Sequence, residues 1–280
     1  MSATTLGEGI RALARRRAER AGASAPWIPS IPARPQPLDA SELEGAETIE
    51  VEGQPVLSIR RSVEELVPGI DVAEEIARAL DALAASDPAE TDRGLAPARG
   101  MRLADVAVLD LETTGFWGCP VLLAGILQLE GDRLVARQLV ARDYPEERPL
   151  LAAALAHLAE RRLLVTFNGK SYDLPCLRER CVVLRVRDDV TRRLSHVDVL
   201  HPARRRWRGR FEDCRLATLE RRVIGLSRAG DVPSRDIPEL FHRFVATGDA
   251  SLLRPVLHHG RVDLLTTARL FAALGSARPA

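Results

Sequence analysis

Residues 105–115 read Asp-Val-Ala-Val-Leu-Asp-Leu-Glu-Thr-Thr-Gly. The short apolar run that opens this stretch suits a buried strand, and it ends on two carboxylates, Asp110 and Glu112. Residues two apart on a strand project from the same face. Carboxylates held that close repel each other unless something neutralises them, and oxygen ligands of this kind suit magnesium or manganese. A bare Asp-x-Glu is more often an acidic strand end than a metal site. The Thr-Thr-Gly that follows sharpens the signal.

Working outward from this strand, residues 121–129 and 134–140 read as two more, with the turn pair Gly131-Asp132 between them. Leu150, Leu151, Leu155 and Leu158 give residues 149–161 helical spacing. Residues 163–167 form another buried strand, 172–184 a helix and 196–200 a short strand, and helices follow to the end. Three strands before the first helix exclude a strictly alternating doubly wound fold. The order predicts an α/β fold whose mixed central sheet opens with a three-stranded meander and is flanked by helices.

Upstream the texture differs. Residues 6–21 have the pattern of a short basic helix, and residues 22–37, rich in Pro, Ala and Ser, that of a linker. Residues 48–60 partly alternate apolar and polar, as a strand or hairpin does, and residues 72–85 have helical spacing. No catalytic constellation lies here. The expectation is a less regular N-terminal extension over 1–100, open to a protein partner, and a domain over 101–276.

Two further stretches carry chemistry. T-F-N-G-K-S-Y-D (166–173) lies where a buried strand turns into a helix, with Asn168 and Gly169 in the tight turn and Asp173 in the first helical turn. Its Gly-Lys-Ser resembles the end of a phosphate-binding P-loop, but that loop needs a glycine where Leu164 stands, so an ATPase is excluded. H-H-G-R-V-D (258–263) precedes an apolar helical run. If the helix already includes His259, then His259 and Asp263 share a face; if it starts later, His258 competes for the role. Asp110, Glu112, Asp173 and Asp263, with a His four residues before the last, suffice as ligands and base for two-metal phosphodiester hydrolysis.

Residues 201–210, H-P-A-R-R-R-W-R-G-R, interleave arginines with Trp207. Arginines grip phosphates and an aromatic ring stacks on an unpaired base. Arg204, Arg205, Arg206 and Trp207 are therefore candidate nucleic-acid contacts, together with Asn168, Lys170 and Tyr172. The bland alternative is a solvated arginine-rich helix face. Asp198, just before this run, reads as an outer metal ligand or as a structural group ordering the next helix, the second being favoured. Arg222, Arg228 and Arg235 read as surface residues.

Composition adds bounds. Across 280 residues, 46% are hydrophobic and 28% charged, as in soluble globular chains, and a net charge of +1 predicts no partner. No apolar run is long enough for a membrane helix, and the Arg-rich start lacks the apolar core of a secretory signal, so a cytoplasmic protein is expected. Cys119, Cys176, Cys181 and Cys214 form no Cys-x-x-Cys pair; reduced thiols are expected rather than a zinc knuckle.

Taken in order, D-L-E-T-T-G, F-N-G-K-S-Y-D-L-P, H-V-D-V-L-H-P-A-R-R, L-E-R-R-V-I-G-L, D-I-P-E-L-F and H-x-x-x-D resemble the YprB-type RNase H-like domain, a relative of the DEDD exonucleases, over about residues 103–275. The resemblance implies an RNase H-like fold, Asp110, Glu112, Asp173 and Asp263 as ligands of two magnesium or manganese ions, and His259 where related exonucleases place a Tyr or His. It implies 3′–5′ exonuclease action on DNA or RNA, with a single strand or 3′ end favoured. The alternatives are a catalytically weak or inactive nucleic-acid-binding module of the same fold and a metal-stabilised interaction domain. Two departures stand out. Residues 116–120 are shorter than the glycine-rich loop expected there. Gly260 stands where the family often has Asn, which is expected to loosen the helix start holding His259.

Overall fold

The computed structural model describes residues 43–115, 118–226, 228 and 230–276. The basic helix and linker expected over 6–21 and 22–37 lie outside the described residues. One sheet of seven strands is formed by β1 (Ala46–Val51), β2 (Gln54–Ser62), β3 (Val106–Thr113), β4 (Val121–Glu130), β5 (Arg133–Val140), β6 (Leu163–Thr166) and β7 (Ser195–Asp198), in the order β1-β2-β5-β4-β3-β6-β7. The helices of eight residues or more are α1 (Val72–Ala85), α2 (Glu147–Ala159), α3 (Asp173–Val183), α4 (Leu200–Trp207), α5 (Ile237–Thr247) and α6 (Leu253–Gly275). None of the described helices is long and apolar enough to cross a membrane.

The meander is as the sequence predicts: β3, β4 and β5 pair antiparallel, and β6 and β7 then add in parallel to the edge of β3. The boundary expected at residue 100 does not separate two bodies among the described residues. The hairpin β1–β2 extends the same sheet, with β2 antiparallel to β5. Val72, Ile76, Ala79, Leu80 and Leu83 form one apolar face of α1, buried in the core that α6 also lines. Burying a side chain of that size contributes about 1.5–3 kcal/mol over leaving it exposed, so α1 is part of the core. Glu75 on α1 also takes two hydrogen bonds from Arg269 on α6, at 2.9 and 3.0 Å.

The alternation of β3 decides where the chemistry points. Ala107, Leu109 and Leu111 face the layer of α2 and α3, whereas Val106 and Val108 face the layer of α1 and α6. By the same parity Asp110 and Glu112 belong to the α6 side. On the other face, buried Glu147 at the start of α2 accepts the backbone N–H of Val121 (2.9 Å) and a two-pronged pair from Arg180 of α3, at 2.7 Å each. This joins α2, α3 and β4. Removing one partner of a buried pair strands the other charge, so Arg180→Met is expected to destabilise the fold by about 3 kcal/mol, read by urea unfolding. An unchanged midpoint would show that Glu147 is solvated by other means.

Candidate functional site

The last helix settles the phase of the histidines. α6 starts at Leu253, so His259 and Asp263 lie one turn apart inside it. His259 is 5% exposed and faces the sheet, whereas His258 points to solvent. Gly260 does not loosen a helix start, because the helix is already formed there. Its absent side chain matters instead: a Cβ at this position would lie 3.2 Å from Gln138 Nε2 and 3.9 Å from Asp110 Oδ2. Gln138 donates from the same nitrogen to Leu257 O at 2.9 Å, fixing the close approach of α6 to β5. A Cβ at residue 260 would crowd Gln138 and this bond, and would only touch Asp110.

The turn before α3 positions the third acid. Asn168 adopts a left-handed conformation (φ 64°), and a Cβ on Gly169 would lie 2.3 Å from Thr166 Oγ1, so only glycine fits. Asp198, at the end of β7, accepts the backbone N–H groups of Asn168 (2.8 Å), Lys170 (3.0 Å) and Leu200 (3.1 Å). Those bonds give it a structural role in ordering the turn. Asp173 then opens α3, and its Oδ1 accepts the N–H of Leu111 at 3.0 Å, which locks it beside the strand carrying Asp110 and Glu112. Tyr172 Oη donates to Gly115 O (3.1 Å) and shares a hydrogen bond with Thr113 Oγ1 (2.7 Å), tying the first motif to the second.

These acids form one electrostatic unit. Burial, then the charges of Asp263, Glu112 and Asp173, push Asp110 well above the usual carboxylate range. Glu112 is pushed well up by burial and by Asp263 and Asp173. Burial raises Asp173 to about 7 against the opposing bond from Leu111. Asp263 is raised by burial, partly offset by Arg228 and His259. Asp110 Oδ2 is buried with no hydrogen-bond partner. Glu112, His259 and Asp263 bring ligand-type atoms within 4.8 Å of one another. A buried acceptor without a partner, among hard oxygen donors that repel one another, fits a divalent cation.

Three groups that the sequence did not reveal complete the site. Asp231 meets His259 Nδ1 at 3.0 and 3.1 Å, and Ser234 Oγ lies 3.1 Å from Nε2. His259 Nε2 also lies 3.6 Å from Asp263 and 3.8 Å from Glu112. Arg228 is not a surface residue. Its side chain is only 12% exposed and bridges Glu220, Asp231 (3.1 Å) and Asp263 (2.5 Å). No spacing signal marks a loop residue that reaches the site only through tertiary packing. Arg222 and Arg235 are largely exposed, as expected.

The basic run is rearranged relative to expectation. Trp207 lies in the core, 8% exposed, and offers no ring to a base. Leu200, Ala203 and Trp207 form the buried stripe of α4, a spacing that the sequence already contained. Arg205 is held by a two-pronged pair with Asp92 and is not free for phosphate. Arg206 is partly buried, whereas Arg204, Asn168 and Lys170 are exposed. The cysteines are free thiols, Cys176 and Cys181 buried.

The chain is similar to known proteins on three counts. At 30% identity over 177 residues it matches a Bacillus subtilis (strain 168) protein named "Uncharacterized protein YprB", covering 62% of this chain and 43% of that protein. It therefore spans less than half of that relative's length. A family B DNA polymerase structure from the hyperthermophilic archaeon Pyrobaculum calidifontis overlays with a TM-score of 0.48 at 16% identity, covering 61% of this chain and 27% of the polymerase. The family model of the RNase H superfamily designated RNase_H_2 matches residues 107–275, the segment that carries all four clustered acids and His259. With most of its length inside that match, and with the mixed sheet flanked by helices described above, the chain belongs to the RNase H superfamily.

Proposed function

We propose that this chain is a metal-dependent nuclease, a 3′–5′ exonuclease that hydrolyses phosphodiester bonds of DNA or RNA. The observation that carries the reading is a buried Asp110 oxygen without a partner, in a carboxyl raised by the charges of Asp263, Glu112 and Asp173, next to Glu112, His259 and Asp263 with ligand-type atoms within 4.8 Å of one another. Two magnesium or manganese ions, held by these four residues, would neutralise the phosphodiester and acidify the attacking water. His259 supplies the proton acceptor. With its Nδ1–H donated to Asp231, Nε2 is the unprotonated nitrogen; it accepts from Ser234 at rest, lies 3.6 Å from Asp263, and takes the proton of water as the new O–P bond forms. As the P–O3′ bond breaks, the leaving 3′ oxygen takes up a proton from solvent, so the shortened strand departs with a 3′-hydroxyl and a 5′-mononucleotide is released, and His259 returns its proton to solvent.

Asp231 is a positioning residue in this scheme, since it fixes the tautomer and the ring of His259. Asp231→Asn is expected to lower kcat by about 10–100-fold with little change in KM, and Asp231→Glu to recover part of the loss. A loss confined to KM would assign Asp231 to substrate binding instead. Polarity is tested with single strands blocked by a 3′-phosphorothioate linkage or by the same linkage at the 5′ end. Protection by the 3′ block alone is expected. Protection by the 5′ block alone would reverse the assigned direction, and internal cleavage of both would make the protein an endonuclease.

A further inference from the structure

Beside the turn that carries Asn168 lies a groove of about 620 Å³, within the range of about 300–1,000 Å³ common for ligand clefts. Phe167 and Asn168 line one side; Arg204 and Arg208, at the end of α4, and Phe211 and Arg215 beyond it line the other. Gly209, at φ 81°, turns the chain so that residues 208 and 211 bridge and the Phe211 ring packs 6.4 Å from that of Trp207. Buried Trp207 is thus the support behind Phe211. Phe167 and Phe211 are each only partly buried, leaving ring surface available to the groove.

The charges of this groove do not cancel. Its acids are engaged: Glu212 with Arg221 and Arg222, and Asp213 with Arg215. Arg204 and Arg208 are exposed and, among the described residues, have no acidic partner. Phe167 and Asn168, which line the groove, begin the turn that ends at Asp173, the first residue of α3.

We propose that this groove is a binding site for single-stranded nucleic acid, with Arg204 and Arg208 on consecutive phosphates and an unpaired base against Phe211 and Phe167. Two uncompensated guanidinium groups beside accessible aromatic rings match a chain that repeats phosphate and base, and rings of this kind are reached only by bases freed from a duplex. The choice of ligand rests on the nuclease reading above. Neither the clustered acids nor His259 line this groove.

The test is fluorescence anisotropy of the full chain with labelled oligo(dT) and oligo(U) of about ten nucleotides, in chelator so that binding is read without hydrolysis. Arg204→Gln with Arg208→Gln is expected to weaken binding at least about tenfold at moderate salt. The slope of log affinity against log salt should fall by about 1.4, which is about 0.7 for each lost phosphate contact to a single strand. Phe211→Leu, with its fold checked by thermal melting, is expected to weaken binding about fivefold or more with no change in slope. The same charge change made elsewhere on the exposed surface, Arg133→Gln with Arg192→Gln, is expected to leave binding within about twofold, the remaining effect of net charge alone. Wild-type protein that binds neither strand at low salt, a double groove variant that binds normally, or an equal loss in the control pair would each overturn the proposal. Hydrolysis by the wild type with manganese is scored separately. Its failure would remove the nuclease reading while leaving the groove result standing.

Discussion

Asp110→Asn is expected to reduce phosphodiester hydrolysis on the order of 10³–10⁴-fold, the scale on which single catalytic groups act, and at the same time to stabilise the metal-free protein. The two effects have one cause. Asp110 Oδ2 is buried without a partner and is pushed upward by burial and by Asp263, Glu112 and Asp173. Asparagine keeps the shape, removes the charge and relieves the repulsion from the neighbouring carboxylates. The same substitution takes away a ligand, so manganese should raise the Tm of the wild type and barely that of the variant. The pH dependence in chelator follows in sign. Carboxylates whose folded-state pKa is raised hold protons that the unfolded chain has already released. Their stabilising contribution is full below the unfolded value and is lost as pH rises through the folded one. With Asp173 at about 7, the metal-free protein should lose stability between about pH 4 and about pH 7, and Asp110→Asn should flatten that decline. Metal-dependent hydrolysis at the wild-type rate in this variant would remove Asp110 from the site.

His259→Gln is expected to slow hydrolysis by about 10²–10⁴-fold, the usual contribution of a general base. Glutamine fills most of the buried space and can still meet Asp231 through its amide, but it has no basic nitrogen to take a proton. The loss should fall on kcat, because His259 reaches Glu112 and Asp263 with Nε2 and holds its other nitrogen against Asp231. His258→Gln should have little effect, since that ring points to solvent from another face of α6. If the two substitutions cost the same, proton transfer does not pass through residue 259.

Much of the fold was legible because its signals are local. The meander, β6 and β7 follow from short apolar runs with turn residues between them, and the period of Val72, Ile76, Leu80 and Leu83 marked α1. The partner of β1–β2 was not legible. Alternating residues announce a strand, but the free edge of β5 that receives it is chosen by long-range pairing. The acids that the structure brings together stand in the motifs, and the start of α6 at Leu253 puts His259, not His258, on the face that meets them. Arg228 and Asp231 could not be read, because they sit in a loop whose position depends on what it packs against. Trp207 was misread for a different reason. Its charged neighbours drew attention to nucleic acid, while its spacing from Leu200 and Ala203 already placed it on the buried face of α4.

The most direct test of the central claim is release of mononucleotides from a uniformly labelled single strand by the wild type and by Asp110→Asn, purified in parallel, with manganese and with chelator. The account predicts 5′-mononucleotide release by the wild type with manganese only, and none above background by the variant. Strands left intact by wild-type protein that binds both manganese and the strand would contradict it, and would leave a nucleic-acid-binding domain that keeps its acids without using them for hydrolysis.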